Sequence, residues 1–279
     1  MRVAIVGLGL IGGSLGLALR RRRLAQVIGV SRRPATLRQA KRLGAIDTGT
    51  ALLREAVADA DLVVLAAPVD AIETLGRHAA RFMRFGSVLT DVGSSKAQIV
   101  RALERSMPRG VAFAGAHPLA GSERRGLEAA RADLFDGSIC VITPTSRTPR
   151  RAREAVTRLW KPLVRRMVTM DPSRHDRLLA AVSHLPHLLA FSLVRATSRE
   201  ALAIAPRSFL DATRVAQSDP DLWDDILLSN RAAIAAAMSR FEREWRTLRK
   251  AMTQQDQPRL VRLLAEAQRA RQTLATHGA

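Results

Sequence analysis

A glycine-rich turn near the amino terminus constrains the fold of this chain more than any other feature. The segment GLGLIG, residues 7–12, follows the apolar run Arg2 to Val6 and precedes an apolar helical stretch, Ser14 to Leu19. A GxGxxG pattern alone says little, but a strand before it and a helix after it predict a dinucleotide-binding βαβ unit.

Each glycine of this turn has a separate predicted task. Gly7 permits the tight turn, Gly9 lets the backbone approach a pyrophosphate, and Gly12 lets the helix pack closely on the strand. The backbone N–H groups at the start of the helix, at Leu10 and Ile11, then face the phosphates. We therefore expect these five residues to bind a dinucleotide cofactor.

Short apolar runs alternate with helical stretches through residue 170. The runs are rich in Val, Ile and Ala and nearly continuous, as in strands that are covered on both faces. Strands separated by helices indicate an α/β fold with a Rossmann-type, doubly wound, mostly parallel sheet. The predicted strands are Arg2 to Val6, Gln26 to Val30, Leu62 to Ala66, Ser87 to Asp91, Ala112 to Ala116, Ile139 to Thr143 and Arg165 to Met170.

The composition changes at residue 171, beyond which Ala, Leu and Arg dominate and no strand is predicted. Asp171 followed by Pro172 is typical of a helix start. Pro186 should kink the long helix that follows, or be tolerated there by packing. The stretch Asp221 to Lys250 is long for a single helix. We therefore predict a dinucleotide-binding domain over 1–170 and an all-α domain over 171–279.

Composition favours a cytoplasmic protein. Hydrophobic residues make up 47% of the 279 residues, enough for two cores. No run of eighteen residues is uninterruptedly apolar, and the start of the chain lacks a signal-peptide pattern, so we expect no membrane span. The single cysteine, Cys140, lies in an apolar run and is expected to be buried.

The formal net charge of +20 raises the question of a nucleic-acid partner. The arginines are scattered over every predicted element, and only Arg20 to Arg23 forms a tight run. Aromatic residues make up 4% of the chain and include no tyrosine, so bases would find few stacking surfaces. We therefore expect no nucleic-acid partner and assign part of the charge to anionic ligands.

The end of the second predicted strand bears on the choice of nucleotide. NAD-selective sites place Asp or Glu there, on the ribose 2′-hydroxyl, whereas this chain has Ser31, Arg32 and Arg33. A hydroxyl and two guanidinium groups suit a 2′-phosphate. NADP is therefore the predicted cofactor, with NAD as the alternative. Ala67 and Pro68, at the end of a later strand, should flank it.

Polar groups follow strands whose carboxyl ends would form the active site. His117 comes directly after a predicted strand and precedes a proline. An alcohol that is oxidised by hydride transfer needs a base for its hydroxyl proton, and imidazole titrates in the right range. His117 is therefore the predicted catalytic base.

The helical part adds two histidines and an arginine. His184 and His187, three residues apart, share a helix face, but no third ligand is evident, so we predict no metal site. Arg214 lies among apolar residues, where an arginine either pairs with a buried carboxylate or binds an anionic substrate. Its spacing alone leaves both roles open.

Six motifs, in this order, resemble those of the prephenate and arogenate dehydrogenases of tyrosine biosynthesis. They are VGLGLIGGSL, DVGSSK, HPLAGSE, VITPT, SHLPH and TRVAQSDPDLW, and they span essentially the whole chain. Members of this family oxidise the C4 hydroxyl of a cyclohexadienol and release the ring carboxylate as CO2, which leaves a phenol. The resemblance implies an NAD(P)-dependent oxidoreductase that forms a homodimer through its helical domain.

The resemblance also implies roles for individual residues. His117 would accept the hydroxyl proton, and Ser94 would lie between that hydroxyl, the histidine and the nicotinamide. The implied substrate contacts are Arg214 with a carboxylate, His187 in the pocket, Glu123 in ion pairs near the entrance and Trp223 in packing or the pocket wall.

Substrate preference is less constrained than reaction type. Ser31 and Arg32 resemble NADP-using members, several of which prefer arogenate, whereas SHLPH with His187 resembles prephenate users. Prephenate is favoured, with arogenate, or both, as the alternative. Residues 205–209, APRSF, replace a glycine-rich turn of the family and leave contacts there open. No chorismate mutase or regulatory segment is recognised, so a monofunctional enzyme is expected.

Two other classes of protein fit part of the pattern. Another Rossmann-plus-helices reductase, such as a β-hydroxyacid dehydrogenase or an imine reductase, would carry a catalytic lysine in a helical-domain motif. Lys161 and Lys250 lie in no such context. A non-catalytic NADP-sensing regulator would have a degraded site, whereas His117, Ser94 and Arg214 are all present.

Overall fold

The main sheet is parallel and has the strand order of a dinucleotide-binding fold. The computed structural model, which describes residues 1–122 and 124–277, contains β1 (Arg2–Val6), β2 (Gln26–Val30), β3 (Thr48–Thr50), β4 (Leu62–Leu65), β5 (Val88–Asp91) and β6 (Ala112–Phe113). Across the sheet the order is β3-β2-β1-β4-β5-β6. Ligands of such sheets bind where the order reverses, here between β1 and β4, outside the carboxyl ends of the strands. The predicted Rossmann-type fold is confirmed.

Helices cover both faces of this sheet, which explains why its strands are apolar throughout. In β1, Val3 and Ile5 pack into one core while Ala4 and Val6 pack into the other. A strand buried on both faces has no polar side, so alternation is absent from its sequence. The helices of this part are α1 (Leu10–Arg21), α2 (Pro34–Arg42), α3 (Leu53–Ala58), α4 (Val69–Ala80) and α5 (Ala97–Ser106).

The strand predicted over residues 112–116 is two strands in two sheets. After β6, the chain continues as β7 (Gly115–Pro118), which pairs antiparallel with β8 (Ile139–Thr143). Helix α6 (Arg150–Trp160) then leads to β9 (Arg166–Thr169), which pairs parallel with β8. The prediction of one continuous strand was wrong, because an apolar run does not reveal which neighbour receives its hydrogen bonds. Cys140 lies in β8 and is fully buried, as predicted.

A helix interrupted by a π-helical turn begins the helical part. Helix α7 (Pro172–Leu179) is N-capped by Asp171, whose carboxylate accepts the Arg174 N–H at 2.9 Å. The turn Ala180–His184 is π-helical and leads directly into α8 (Leu185–Ala196). Pro186 therefore follows a local widening of the helix, which accommodates its missing N–H.

Helices make up the rest of the described chain, in which no strand follows β9. The predicted stretch 221–250 is broken at Asn230, between two of these helices. They are α9 (Arg199–Ala203), α10 (Arg207–Thr213), a 3-10 turn Arg214–Gln217, α11 (Pro220–Ser229), α12 (Arg231–Thr253) and α13 (Gln257–His277).

The contacts within the chain divide it into two compact units. The first comprises Met1–Arg231 and the second begins at Ala232, so that it holds α13 and nearly all of α12. The predicted domain boundary between residues 170 and 171 rests on composition and stays a prediction.

One helical stretch has the length and composition of a membrane span. Residues Pro172–Ala196 have a window of mean hydropathy 1.4, of which 28% is buried. The requirement for an uninterrupted apolar run missed this stretch, because Pro186 and polar residues interrupt it. An exposed apolar helix face is also what a protein–protein interface presents, so this feature alone does not establish a span.

The glycine turn provides a matched pair of substitutions that separates folding from cofactor binding. A Cβ on residue 12 would lie 2.0 Å from the Gly7 carbonyl oxygen, whereas a Cβ on residue 9 would meet nothing within 4 Å. We expect Gly12→Ala to lower the free energy of unfolding by about 1–3 kcal/mol, as overpacking does. We expect Gly9→Ala to keep stability within about 0.5 kcal/mol of wild type but to weaken dinucleotide binding. Urea unfolding and cofactor titration measure the two effects, and equal stability of both variants would contradict the assigned tasks.

Candidate active site

A buried ion pair fixes the loop that follows β5. The side chains of Lys96 and Asp91 are both 0% exposed, and the ammonium of one pairs with the carboxylate of the other. The same ammonium donates to the Ala116 carbonyl oxygen at 3.1 Å, and the Gly93 N–H donates to Asp91 Oδ2 at 2.9 Å. The ion pair therefore ties the end of β5 to β7, the strand that carries His117.

A hydrogen-bonded chain of three buried side chains runs from β7 into the helical part. His117 Nδ1 lies 2.8 Å from His175 Nε2, and His175 Nδ1 lies 2.8 Å from Asp176 Oδ1. The Asp176 carboxylate also accepts the N–H groups of Lys96 and Ala97, at 2.7 and 2.8 Å, at the start of α5. We call His117, His175 and Asp176 the histidine chain.

Burial favours the neutral form of both imidazoles in the histidine chain. The pKa of His117 lies well below its usual value, first because of burial and then because of electrostatic interactions with His175, Lys96 and His184. Burial also lowers the pKa of His175, although the hydrogen bond and negative charge of Asp176 act in the opposite direction. A neutral imidazole accepts protons, so His117 meets the first requirement of a general base.

A second group of aromatic and basic side chains lies between α8 and α11. The His187 ring stacks on Trp223, with centroids 3.6 Å apart and planes inclined by 22°. His187 Nδ1–H donates to the Ser183 carbonyl oxygen at 2.9 Å. Burial lowers the pKa of His187; its hydrogen bond to Ser183 opposes this effect, and the positive charge of Arg214 adds to it. The structure thus brings together His187, Trp223 and Arg214, three of the residues predicted to bind substrate.

His184 has a structural environment instead of a metal-ligating one. Its Nδ1 accepts the Asn230 side-chain N–H at 3.2 Å, and the same amide donates to the Asp176 carbonyl oxygen at 2.8 Å. Burial, as the main cause, lowers the pKa of His184 to about 4. Among the described residues, no three His, Cys, Asp or Glu side chains are grouped so that they could hold a metal ion.

The predicted cofactor residues lie at the carboxyl ends of adjacent strands. Gly7 follows β1 with a φ of 100°, and a Cβ there would lie 2.2 Å from the Ala66 carbonyl oxygen, so only glycine fits. Gly9 precedes α1, whose first N–H groups, from Leu10 and Ile11 on, have no carbonyl partner within the helix. The open space beside Gly9 and these free donors fit a pyrophosphate.

The end of β2 presents the groups that were predicted to select the nucleotide. Ser31 is half-buried and its hydroxyl oxygen accepts the Arg33 N–H at 3.2 Å, while Arg32 and Arg33 are exposed. In the neighbouring strand connection, Ala67 is half-buried and Pro68 precedes the first residue of α4. These residues and the glycine turn therefore face the same edge of the sheet.

The surroundings of the site include one predicted residue that cannot be placed and two arginines in surface ion pairs. Glu123 lies outside the described residues. Arg207, in the segment that replaces the family's glycine-rich turn, has a side chain that is 92% exposed and pairs with Asp211 at 4.0 Å. Arg125 pairs with Asp219 and so links the loop after β7 to the start of α11.

His175, Asp176 and the ion pair of Lys96 with Asp91 were not predicted from the sequence. Asp91 and Lys96 lie within the DVGSSK motif, where the available signal was two opposite charges at the ends of a loop of small residues. His175 and Asp176 carried no comparable signal, because neighbouring polar residues in an amphipathic helix are usually solvent-exposed.

Two family models match consecutive parts of the chain. The nucleotide-binding domain of prephenate dehydrogenase matches residues 15–169, and the prephenate dehydrogenase dimerization domain matches residues 171–266. Cyclohexadienyl dehydrogenase of Zymomonas mobilis is 33% identical, over 98% of this chain and 96% of the relative. Prephenate dehydrogenase of Bacillus subtilis is also 33% identical, over 95% of this chain and 74% of the relative.

Solved structures agree with these sequence matches. Prephenate dehydrogenase from Aquifex aeolicus, in complex with hydroxyphenyl propionate and NAD+, superposes with a TM-score of 0.90 at 32% identity, over 98% of both chains. Synechocystis arogenate dehydrogenase has a TM-score of 0.85 at 28% identity, over 98% of this chain and all of the other. A 3-hydroxyisobutyrate dehydrogenase from Mycobacterium tuberculosis, at 18% identity and a TM-score of 0.58, shares the fold alone.

The buried ion pair generates a prediction about stability. Lys96→Met leaves the Asp91 carboxylate buried without its counter-charge, which should lower the free energy of unfolding by about 3–5 kcal/mol. The double variant Lys96→Met/Asp91→Leu removes both charges and should recover part of that loss. Lys41→Met, at an exposed lysine of α2, is the control and should stay within about 0.5 kcal/mol of wild type. Denaturant unfolding measures all three, and a double variant less stable than Lys96→Met would refute this account.

Proposed function

This chain belongs to the prephenate dehydrogenase family, and on that basis we propose that it oxidises prephenate to 4-hydroxyphenylpyruvate with release of CO2. The single observation that carries the proposal is the buried His117, whose pKa is lowered mainly by burial, on a strand tied to the DVGSSK loop. A nicotinamide dinucleotide bound at the carboxyl edge of the main sheet supplies the hydride acceptor. The protein supplies the base and the orientation.

His117 accepts the proton of the substrate C4 hydroxyl in this proposal. Its imidazole is neutral, so it takes the proton as the hydroxyl carbon loses hydride. Ser94 is half-buried in the loop held by Lys96, and we assign its hydroxyl to the region between substrate, histidine and nicotinamide. Formation of an aromatic ring makes the overall reaction strongly downhill, which leaves positioning as the main task of these residues.

Arg214 is proposed to bind a substrate carboxylate, and His187 is proposed to help define the substrate pocket. The positive charge of Arg214 acts on the imidazole of His187, which stacks on Trp223. An anion between them would offset the positive charge that lowers the pKa of His187. Trp223 is buried and supports the ring of His187 as a wall of the pocket. Glu123 keeps its proposed role in ion pairs near the entrance.

NADP is the proposed cofactor, bound by Gly7, Gly9, Leu10, Ile11, Gly12, Ser31, Arg32, Arg33, Ala67, Pro68 and Ser94. Arg32 and Arg33 are exposed at the end of β2 and form no ion pair with another described residue. Free guanidinium groups at that point suit a 2′-phosphate. NAD is the alternative, and the Aquifex relative was solved with NAD+.

Arogenate is the second candidate substrate. The observations that favour it are the likeness to Synechocystis arogenate dehydrogenase and to the cyclohexadienyl dehydrogenase of Zymomonas mobilis. Arogenate carries an ammonium group where prephenate carries a keto oxygen, and the basic surroundings of Arg214 favour the substrate without that extra positive charge.

The proposed assembly is a homodimer through the helical domain, residues 171–279. The match to a dimerization domain supports it, as does the exposed apolar surface of this part, where Val182 is 70% exposed and Ile204 is 82% exposed. The abutting family matches at 169 and 171 support the proposed domain boundary. A cytoplasmic location, without nucleic-acid or membrane partners, completes the proposal.

A four-way assay tests the proposed activity. The protein is mixed with prephenate or arogenate, each with NAD+ or NADP+, and formation of the reduced cofactor is followed by absorbance. We expect the fastest turnover with prephenate and NADP+, and no turnover by His117→Asn, which should still bind the cofactor. Absence of turnover in all four mixtures would refute the proposed function.

Replacement of Ser31 tests the nucleotide preference. Ser31→Asp places a carboxylate where it can accept the ribose 2′-hydroxyl and repel a 2′-phosphate. We expect the ratio of kcat/KM for NADP+ to that for NAD+ to fall by about tenfold or more, which corresponds to one charged contact. Arg38→Met, at an exposed arginine further along α2, serves as the control. An unchanged ratio would show that the 2′-phosphate is held elsewhere.

A further inference from the structure

We propose that His175 and Asp176 are positioning residues that set the tautomer of His117 and receive the positive charge that His117 gains. This inference rests on the proposed function, in which His117 Nε2 accepts the hydroxyl proton. Neither residue belongs to a motif that was linked to the reaction, and both are buried, His175 completely. Their role follows from the direction of the hydrogen bonds in the histidine chain.

The Asp176 carboxylate is the fixed end of the histidine chain. It accepts two backbone N–H groups, from Lys96 at 2.7 Å and from Ala97 at 2.8 Å, and it lies 2.8 Å from His175 Nδ1. Donors at a helix N-terminus stabilise a negative charge. Because a carboxylate has no proton to give, the bond between Asp176 and His175 must be donated by His175 Nδ1–H.

The remaining protons follow by elimination. A neutral imidazole carries one N–H, so once His175 is protonated at Nδ1 its Nε2 is an acceptor. That atom lies 2.8 Å from His117 Nδ1, which must therefore carry the proton of His117. The Nε2 atom of His117 is left with a lone pair, which is the form that a general base requires.

The same hydrogen bonds carry charge away from the reacting atoms. When His117 Nε2 takes the hydroxyl proton, the Nδ1 proton of His117 can pass to His175 Nε2, so that one N–H bond forms as another breaks. His117 is then neutral, His175 is an imidazolium and Asp176 remains a carboxylate. This arrangement is favourable because the Asp176 carboxylate is hydrogen-bonded to His175 and not to His117, and its bond and negative charge raise the pKa of His175, although Lys96 lowers the pKa of both histidines.

Nitrogen-15 NMR of the imidazoles tests the tautomers without any need for activity. In the wild-type protein we expect His117 to be protonated at Nδ1 and bare at Nε2. Asp176 Oδ1 accepts both the Lys96 N–H and the His175 Nδ1–H, so Asp176→Leu removes the acceptor that fixes His175, and both histidines should then populate the other tautomer. A wild-type His117 protonated at Nε2, or tautomers unaltered in a folded Asp176→Leu, would overturn the proposal.

Steady-state kinetics test the consequence for catalysis. We expect Asp176→Leu to lower kcat on the order of 10²–10⁴-fold, the scale of a misplaced base proton, while the KM for the cofactor stays near the wild-type value. Asp171→Leu is the matched control, because Asp171 also caps a helix through its carboxylate but lies outside the histidine chain. It should leave kcat unchanged; a loss equal to that of Asp176→Leu would show that capping alone matters.

Substitutions of His175 keep the proposal testable if Asp176→Leu fails to fold. The amide oxygen of Gln can accept the His117 Nδ1–H bond and preserve the tautomer, whereas Leu cannot. His175→Gln should therefore retain at least about tenfold more kcat than His175→Leu, the effect of one hydrogen bond. Equal kcat values in the two variants would overturn the proposal. If the wild type is active and the two variants have equal kcat values, the inference alone is refuted. An inactive wild type refutes the proposed function.

Discussion

The ion pair between Lys96 and Asp91 is the interaction on which the candidate active site depends. A pair this deeply buried costs desolvation energy that its mutual attraction repays only when the remaining polar atoms are also bonded. Here the lysine also donates to the Ala116 carbonyl and Asp91 Oδ2 also accepts the Gly93 N–H, so part of this cost is offset, whereas Asp91 Oδ1 has no hydrogen-bond partner among the described residues. These bonds join three pieces of chain, namely the end of β5, the DVGSSK loop and β7. The position of His117 relative to Ser94 is consequently set by charge at the centre of a dry core.

Secondary-structure elements with a strong local sequence pattern could be predicted from the sequence. The bounds of β1, β2 and β8 agree with the apolar runs in the sequence, and the glycine turn identified the nucleotide-binding edge. The short elements between residues 48 and 58 carried too few residues to show a period. The division of one apolar run into β6 and β7 at Ala114 could not be predicted either. β6 pairs with β5 and β7 pairs with β8, and these two partners are distant in sequence and equally apolar.

The site was predictable only where its chemistry is carried by motifs. Motifs that occur in the order typical of the family identified His117, His187, Trp223 and Arg214. The structure brings the last three together. The hydrogen-bond partner of His117 could not be predicted from the sequence. His175 is 58 residues away and reaches His117 only through the packing of α7 in the folded chain. The role of a buried histidine beside an aspartate depends on the hydrogen-bond donors around the aspartate. Here those donors are backbone N–H groups at the start of another helix.

The division of one apolar run into β6 and β7 puts the predicted cofactor edge and the proposed base in different sheets. The cofactor edge belongs to the parallel sheet, while His117 belongs to the small mixed sheet with β8 and β9. Among the described strands no backbone ladder joins the two sheets, so the chain at Ala114 and the buried bonds of Lys96 connect them. In the proposed function, substitutions in the small sheet can therefore alter the base while the nucleotide-binding turn of the main sheet stays intact.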